Sequence, residues 1–212
     1  MDSQMSNLLK WSIENSAPTQ KNGVEQDSPE QTAQRLDTDA LERLLGNAPS
    51  DAEMMKAAME VIQDETATLD NRLLAFDNFE QLIENLDNAN NMAVLGLWTP
   101  LIGELGNVEP DMRKMAAWCI GTAVQNNEQA QNKLVSFEAI PKLLELAQTD
   151  LNAAVRRKAI YALSSAVRNS QPALDQLQSH LPNDFVSKDE RLHADDMGRI
   201  DAILNKLREI SV

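Results

Sequence analysis

Cysteine is almost missing from this 212-residue chain: Cys119 stands alone, so no disulfide can close within it and nothing calls for an oxidising compartment. Glycine is scarce at seven residues, and aromatics amount to 4%. Sheet proteins draw on both, whereas a chain rich in Leu, Ala and Met draws on packed helices. Positive charge is short as well: 19 Lys and Arg face 33 Asp and Glu, giving a net charge of −14. Phosphate backbones and anionic membrane surfaces repel such a chain, which argues against nucleic acid or membrane as partner. No run of 18 apolar residues occurs, and the opening MDSQMSNLLKWSIENS lacks the unbroken apolar core of a secretory signal. The expected location is cytoplasmic.

What the chain does have is a repeat. Sliding it by 41 residues places Arg72 on Arg113, Ala75 on Ala116, Asn85 on Asn126, Ala89 on Ala130 and Pro100 on Pro141 without a gap. A further step of 43 places Arg113 on Arg156, Ala116 on Ala159, Trp118 on Tyr161 and Asn126 on Asn169. A period of about 40 to 47 residues is that of stacked helical arrays. The clearest unit has a short helix EQAQNKLVSF, a second AIPKLLELA and a long third; that third helix reads LDNRLLAFDNFEQLIENLD, PDMRKMAAWCIGTAVQ and LNAAVRRKAIYALSSAVR in its three copies. In the first copy Leu69, Leu73, Phe76, Phe79, Ile83 and Leu86 recur at three- and four-residue intervals, committing one face to a core that only a neighbouring unit can cover. The asparagines between units end one helix or cap the next.

The chain therefore divides into four parts. Residues 1–37 read as a short apolar segment (Leu8, Leu9, Trp11, Ile13) on a polar, flexible linker; residues 38–68 as N-terminal capping helices, with DALERLLG and then a helix opened by the capping box of Ser50 and Glu53. Met54, Met55, Met59 and Ile62 are expected on the buried side of that helix. Residues 69–178 hold about three repeats, and residues 179–212 a loop followed by a C-terminal capping helix with Met197, Ile200, Leu204 and Leu207 inward.

Catalytic patterns are missing. His180 and His193 have no His or Cys partner at metal-ligand spacing, and the His193, Asp195, Asp196 cluster suits solvent or a helix cap better than a metal. Cys119 sits mid-helix between Trp118 and Ile120 as a small packed side chain. No glycine-rich phosphate loop occurs. Neither cofactor nor enzymatic activity is expected. A helical array offers instead a long groove lined by its third helices. Opposite the core face these present Asp77, Gln81 and Glu84, then Arg113, Lys114, Trp118 and Thr122, then Arg157, Tyr161, Ser165 and Arg168. The lining runs from acidic to basic with two aromatics in the middle, and Trp, Tyr and Arg are the residues that anchor interfaces.

AIPKLLELA followed by VRRKAIYALSSAV resembles the armadillo consensus over residues 69–178, which implies an all-α, right-handed superhelix, an armadillo-like α-solenoid. NLLKWSIENS, AFDNFEQLIENLDNANN with LWTPL, and IGTAVQNNEQAQ are similar to the fungal members of a family of armadillo-type nucleotide exchange factors. That resemblance implies a monomeric partner of the cytosolic seventy-kilodalton heat-shock (DnaK-type) chaperones, which grips the chaperone's nucleotide-binding domain, speeds ADP release and thereby promotes client release, protein folding and translation. It also implies contact through Glu84, Asp87, Asn88, Ala89 and Asn91, with Ala89 small enough for close approach; the array here closes after about three repeats, so the contacts that longer relatives make from later repeats are expected at Arg157, Tyr161 and Arg168, with Trp118 and Thr122 beside them on the groove. The arm, residues 1–37, is implied to help dislodge clients. A peptide carrier or scaffold without exchange activity is the alternative, but such carriers repeat Trp with Asn four residues on, and here Trp118 is followed by Thr122 and Tyr161 by Ser165.

Overall fold

In the computed structural model, residues 49–187 and 190–210 are described. The expectations for the apolar segment, the linker and DALERLLG lie outside the described residues. Among those described, all regular structure is helical: α1 (Asp51–Gln63), α2 (Leu69–Ile83), α3 (Leu86–Asn91), α4 (Trp98–Gly103) with a single 3-10 turn after it, α5 (Pro110–Val124), α6 (Glu128–Ser136), α7 (Ala139–Thr149), α8 (Ala153–Val167), α9 (Gln171–His180) and α10 (Met197–Ile210). The long helices α2, α5 and α8 pack side by side in chain order, α1 packs on α2, and α10 packs on α8 and α7. This is an α-solenoid built as the repeat requires.

Each long helix carries the aligned arginine in its first turn, and each arginine reaches back to an earlier backbone carbonyl: Arg113 Nη1 donates to Asn107 O (2.8 Å) and Arg156 Nη1 to Asp150 O (2.7 Å), each six residues back, while Arg72 uses Nε and reaches Ile62 O in the last turn of α1 (2.7 Å). The repeated letter is thus a repeated latch that satisfies a carbonyl left open where a helix ends.

Units also end alike. Asn126 and Asn169 occupy the left-handed region (φ 52° and 58°), and Asn127 caps α6 by accepting the Ala130 amide at 3.2 Å. Asn tolerates this conformation better than other side-chain-bearing residues, which lets the turns close without glycine. The first unit differs. The helix expected to run on through Asp87 stops at Ile83, because Asn85 caps a new helix by accepting the Asp87 and Asn88 amides (2.9 and 3.4 Å). Leu86 therefore leaves the core face and is 55% exposed, while Phe76, Phe79 and Ile83 are buried as expected.

At the ends, Ser50 and Glu53 form the capping box, with the Ser50 amide donating to Glu53 Oε2 (2.8 Å) and the Glu53 amide to Ser50 Oγ (3.3 Å). Ala58 joins Met55, Met59 and Ile62 in the core, and Met54 stays at the surface. Along α10 the buried set is Ile200, Ile203, Leu204 and Leu207, with Met197 at its margin. The loop before it is pinned by two glutamines of α9: Gln171 bonds Leu192 O and the Ala194 amide, and Gln178 bonds Glu190 O and the Leu192 amide. Each amide side chain thus bonds the loop backbone with both its donor and its acceptor.

Candidate functional site

Where α2, α5 and α8 lie abreast, the surface opens into a hollow of about 430 Å³. Its lining comes from all three: Glu80 from α2 and Glu84 at its C-terminal cap, Trp118 and Thr122 from α5 with Gln125 and Asn126 in the turn after it, and Tyr161 from α8. The structure thus brings Glu84, Trp118, Thr122 and Tyr161 of the expected contact set together. Trp118 and Tyr161, aligned one repeat apart, supply its aromatic walls. Gly121 explains how the second wall fits: a Cβ there would come within 2.5 Å of the Tyr161 ring, so only glycine lets the ring lie against α5. The Tyr161 hydroxyl then donates to Gln125 Oε1 at 3.1 Å, which fixes the ring's far end.

Two charged residues at this site escaped the sequence reading. Glu80 is only 7% exposed, and its Oε1 accepts the Thr122 hydroxyl at 2.8 Å. Sequence spacing had put Gln81 on the groove; the true groove positions on α2 are Glu80 and Glu84. Gln81 instead borders a separate apolar hollow of about 730 Å³ between α1 and α2, with Met54, Val61 and Leu74. Leu74 is 59% exposed there, whereas its repeat counterpart Met115 is 5% exposed. The second missed residue, Lys158, lies with Nζ 3.6 Å from the centre of the Trp118 ring and 5.5 Å from that of Tyr161. Burial pulls its ammonium below the usual lysine range, partly offset by the nearby Glu80 charge.

The other expected contacts are elsewhere. Ala89 is 2% exposed, buried on α3 like its counterpart Ala130 on the neighbouring α6. Asn88 is spent inside the molecule, its Nδ2 donating to Asp51 Oδ2 (2.7 Å) and Leu82 O (2.9 Å). Asp87 and Asn91 share that helix but do not line the hollow. Arg168 turns toward the C-terminal helix, pairing with Asp201 and donating to Ser164 Oγ at 3.1 Å. Arg157 is exposed on α8 and outside the hollow. No group of three or more metal-binding side chains occurs among the described residues, and Asp196, from the His193 cluster, accepts the Arg199 amide at 2.9 Å as a helix cap would. Cys119 is wholly buried, which raises its thiol well above the ordinary value.

A profile described as Nucleotide exchange factor Fes1 matches residues 5–92, and one described as SIL1/FES1/HPBP1 C-terminal domain matches residues 88–181. An Hsp70 nucleotide exchange factor FES1 from Coccidioides immitis is 70% identical over 99% of this chain and 99% of its own length. The chain belongs to the Fes1 family of nucleotide exchange factors. A FES1 from Gibberella zeae is 50% identical, covering 98% of this chain and 97% of the relative, and a relative from Kluyveromyces lactis is 44% identical over 81% of this chain but only 58% of its own, longer, length. The two Fes1-family matches meet on α3, between the hollow's acidic helix α2 and its aromatic helices α5 and α8. No helix among the described residues is long and apolar enough to cross a membrane.

Proposed function

We propose that this chain is a nucleotide exchange factor for a cytosolic Hsp70 chaperone and that it grips the chaperone's nucleotide-binding domain across α2, α5 and α8. The observation that carries this reading is the family membership, to which the hollow adds a surface of interface chemistry: aromatics, amides and carboxylates on three rigid helices. Hsp70 is the partner named for the relatives. No catalytic side chain of its own is required. The factor works by binding one shape of its partner more tightly than another, and the favoured shape is a displaced lobe geometry in which ADP is held loosely. Coupling is reciprocal: a tenfold weakening of ADP takes about 1.4 kcal/mol of the factor's affinity, and ADP weakens the factor equally.

Glu84, Trp118, Thr122 and Tyr161 belong to the contact surface in this reading, with Asp87, Asn91 and Arg157 as flanking contacts; Asn88, Ala89 and Arg168 act by holding neighbouring helices. The division at residues 37, 68 and 178, with an arm that meets clients, is part of the same proposal. The test is release of fluorescent ADP from a preloaded cytosolic Hsp70 on addition of this protein and excess ATP. Acceleration is expected. An unchanged release rate at concentrations where the two proteins bind would reject exchange activity and leave a binding role without it.

A further inference from the structure

The hollow's chemistry is more selective than a generic docking patch, and its selectivity points to one kind of side chain. Glu80 is nine-tenths buried, yet only its Oε1 is paired, with Thr122; Oε2 receives no hydrogen bond from any described residue. Glu80 lines the hollow, so this unpaired carboxylate oxygen is open to a charged donor from outside. Glu84, the C-terminal cap of α2, lies one turn further on, exposed, on the same lining. Facing this pair stand Trp118 and Tyr161, whose ring faces attract cations, as Lys158 at 3.6 Å from the Trp118 centre already demonstrates within the chain. Lys158 already offsets part of the Glu80 charge but does not itself line the hollow and makes no ion pair with either glutamate, so the carboxylates keep capacity for a cation that enters the hollow. Two amides, Gln125 and Asn126, complete the rim.

We propose that the hollow is a receptor for a single arginine side chain of the chaperone's nucleotide-binding domain, the guanidinium stacking against Trp118 and Tyr161 while donating to Glu80 and Glu84. The proposal rests on the exchange-factor reading and specifies how it is carried out. Arginine fits better than lysine for physical reasons. Its planar group stacks on rings, sheds water more readily than an ammonium and presents a fork of donors, so that one face can lie on an aromatic while the edge meets carboxylate oxygens. The walls are preorganised: Gly121 admits the Tyr161 ring and Gln125 holds its hydroxyl, so little ordering is left for binding to accomplish.

The experiment uses the full-length chain and an Hsp70 nucleotide-binding domain. Wild type is first assayed for ADP release; no acceleration would overturn the exchange-factor reading and this inference with it. Given acceleration, Kd is measured for Glu80→Gln, Glu84→Gln and Trp118→Leu, with thermal melts to confirm folding. Glu80→Gln keeps an acceptor for Thr122 and is expected to weaken binding at least ~10-fold with an unchanged melt. Each surface arginine of the nucleotide-binding domain is then changed to Glu and paired with Glu84→Arg. One pairing is expected to recover at least ~10-fold of the affinity lost by either single variant. Folded Glu80→Gln and Glu84→Gln proteins that bind like wild type, or a swap series with no recovering pair, would overturn the arginine receptor while leaving the exchange function standing.

Discussion

The guanidinium of Arg113, at the start of α5, grips the carboxylate of Asp150, at the end of α7, through two hydrogen bonds: Nε to Oδ2 at 2.7 Å and Nη2 to Oδ1 at 3.0 Å. The same carboxylate accepts the Asn152 amide at 2.8 Å, and its residue's carbonyl accepts Arg156. One buried acidic residue thereby ties together the starts of α5 and α8, two of the three helices that build the hollow.

Asp150→Asn is expected to destabilise the fold by about 2–3 kcal/mol at neutral pH, since the arginine loses its charged partner while remaining half-buried. Burial alone would raise the Asp150 pKa, but Arg113, the Asn152 amide and Arg156 together hold it below the ordinary 3.8. With the folded value depressed, the stabilisation is fully present above the unfolded-state pKa and is lost as pH falls through the folded one. Urea titrations of wild type and variant should therefore differ most from pH 5 upward and converge in strong acid. A gap that stays constant down to pH 2 would show that Asp150 acts through shape and not charge.

Gly121→Ala pits local preference against packing. Alanine favours a helix interior by about 1 kcal/mol, but its methyl would overlap Tyr161 and approach the Ala162 Cα at 3.1 Å. Packing wins, because the ring is held by Gln125 and backbone cannot yield: a net loss of about 1–3 kcal/mol is expected, with weaker Hsp70 binding as the wall shifts. Adding Tyr161→Ala should return much of the stability but none of the binding. Equal melting temperatures for wild type and Gly121→Ala would contradict the contact.

Ala89→Arg tests a small residue expected at the contact surface and buried in the structure. Ala89 and Ala130 are both buried, on the short helices α3 and α6 that touch one another, so an arginine at 89 must either displace α3 or bury an unpaired charge. Loss of several kcal/mol of stability is expected alongside any loss of chaperone binding. A variant that melts like wild type yet fails to bind would return Ala89 to the contact surface.

The fold was legible because its signals repeat: the arginines at 72, 113 and 156 each reach back to an earlier backbone carbonyl, and the asparagines at 126 and 169 share the left-handed backbone conformation. One copy can mislead, as at Asn85, where a cap replaced continuation and Leu86 turned outward. The site was legible only in part. Trp118, Thr122, Tyr161 and Glu84 follow from helical spacing. Glu80 does not, because a glutamate beside Phe79 reads as solvent-facing until Thr122, from a helix 42 residues on, is seen to bond it. Lys158 was hidden for the same reason, its partner ring belonging to the preceding repeat. Periodicity tells which face a residue occupies within its own helix, but the register between helices is set by packing.

Cys119 supplies a reporter for that register. It is the chain's single thiol, wholly buried on α5, with Sγ 4.0 Å from Phe76 O on α2. Burial disfavours the thiolate, and alkylation needs both ionisation and access, so reaction at mildly alkaline pH must await separation of α2 from α5. Labelling of the native protein should be slowed ~1,000-fold or more relative to the denatured chain, the signature of an opening that costs about 4 kcal/mol. Because the proposed partner spans α2, α5 and α8, a saturating Hsp70 nucleotide-binding domain should slow labelling further by favouring the closed stack, and ADP should weaken that protection through the reciprocal coupling. Rapid native labelling would mean that the α2–α5 seam opens freely, leaving no rigid hollow to discriminate between partner shapes. Protection that ignores ADP would locate the chaperone's grip away from this seam.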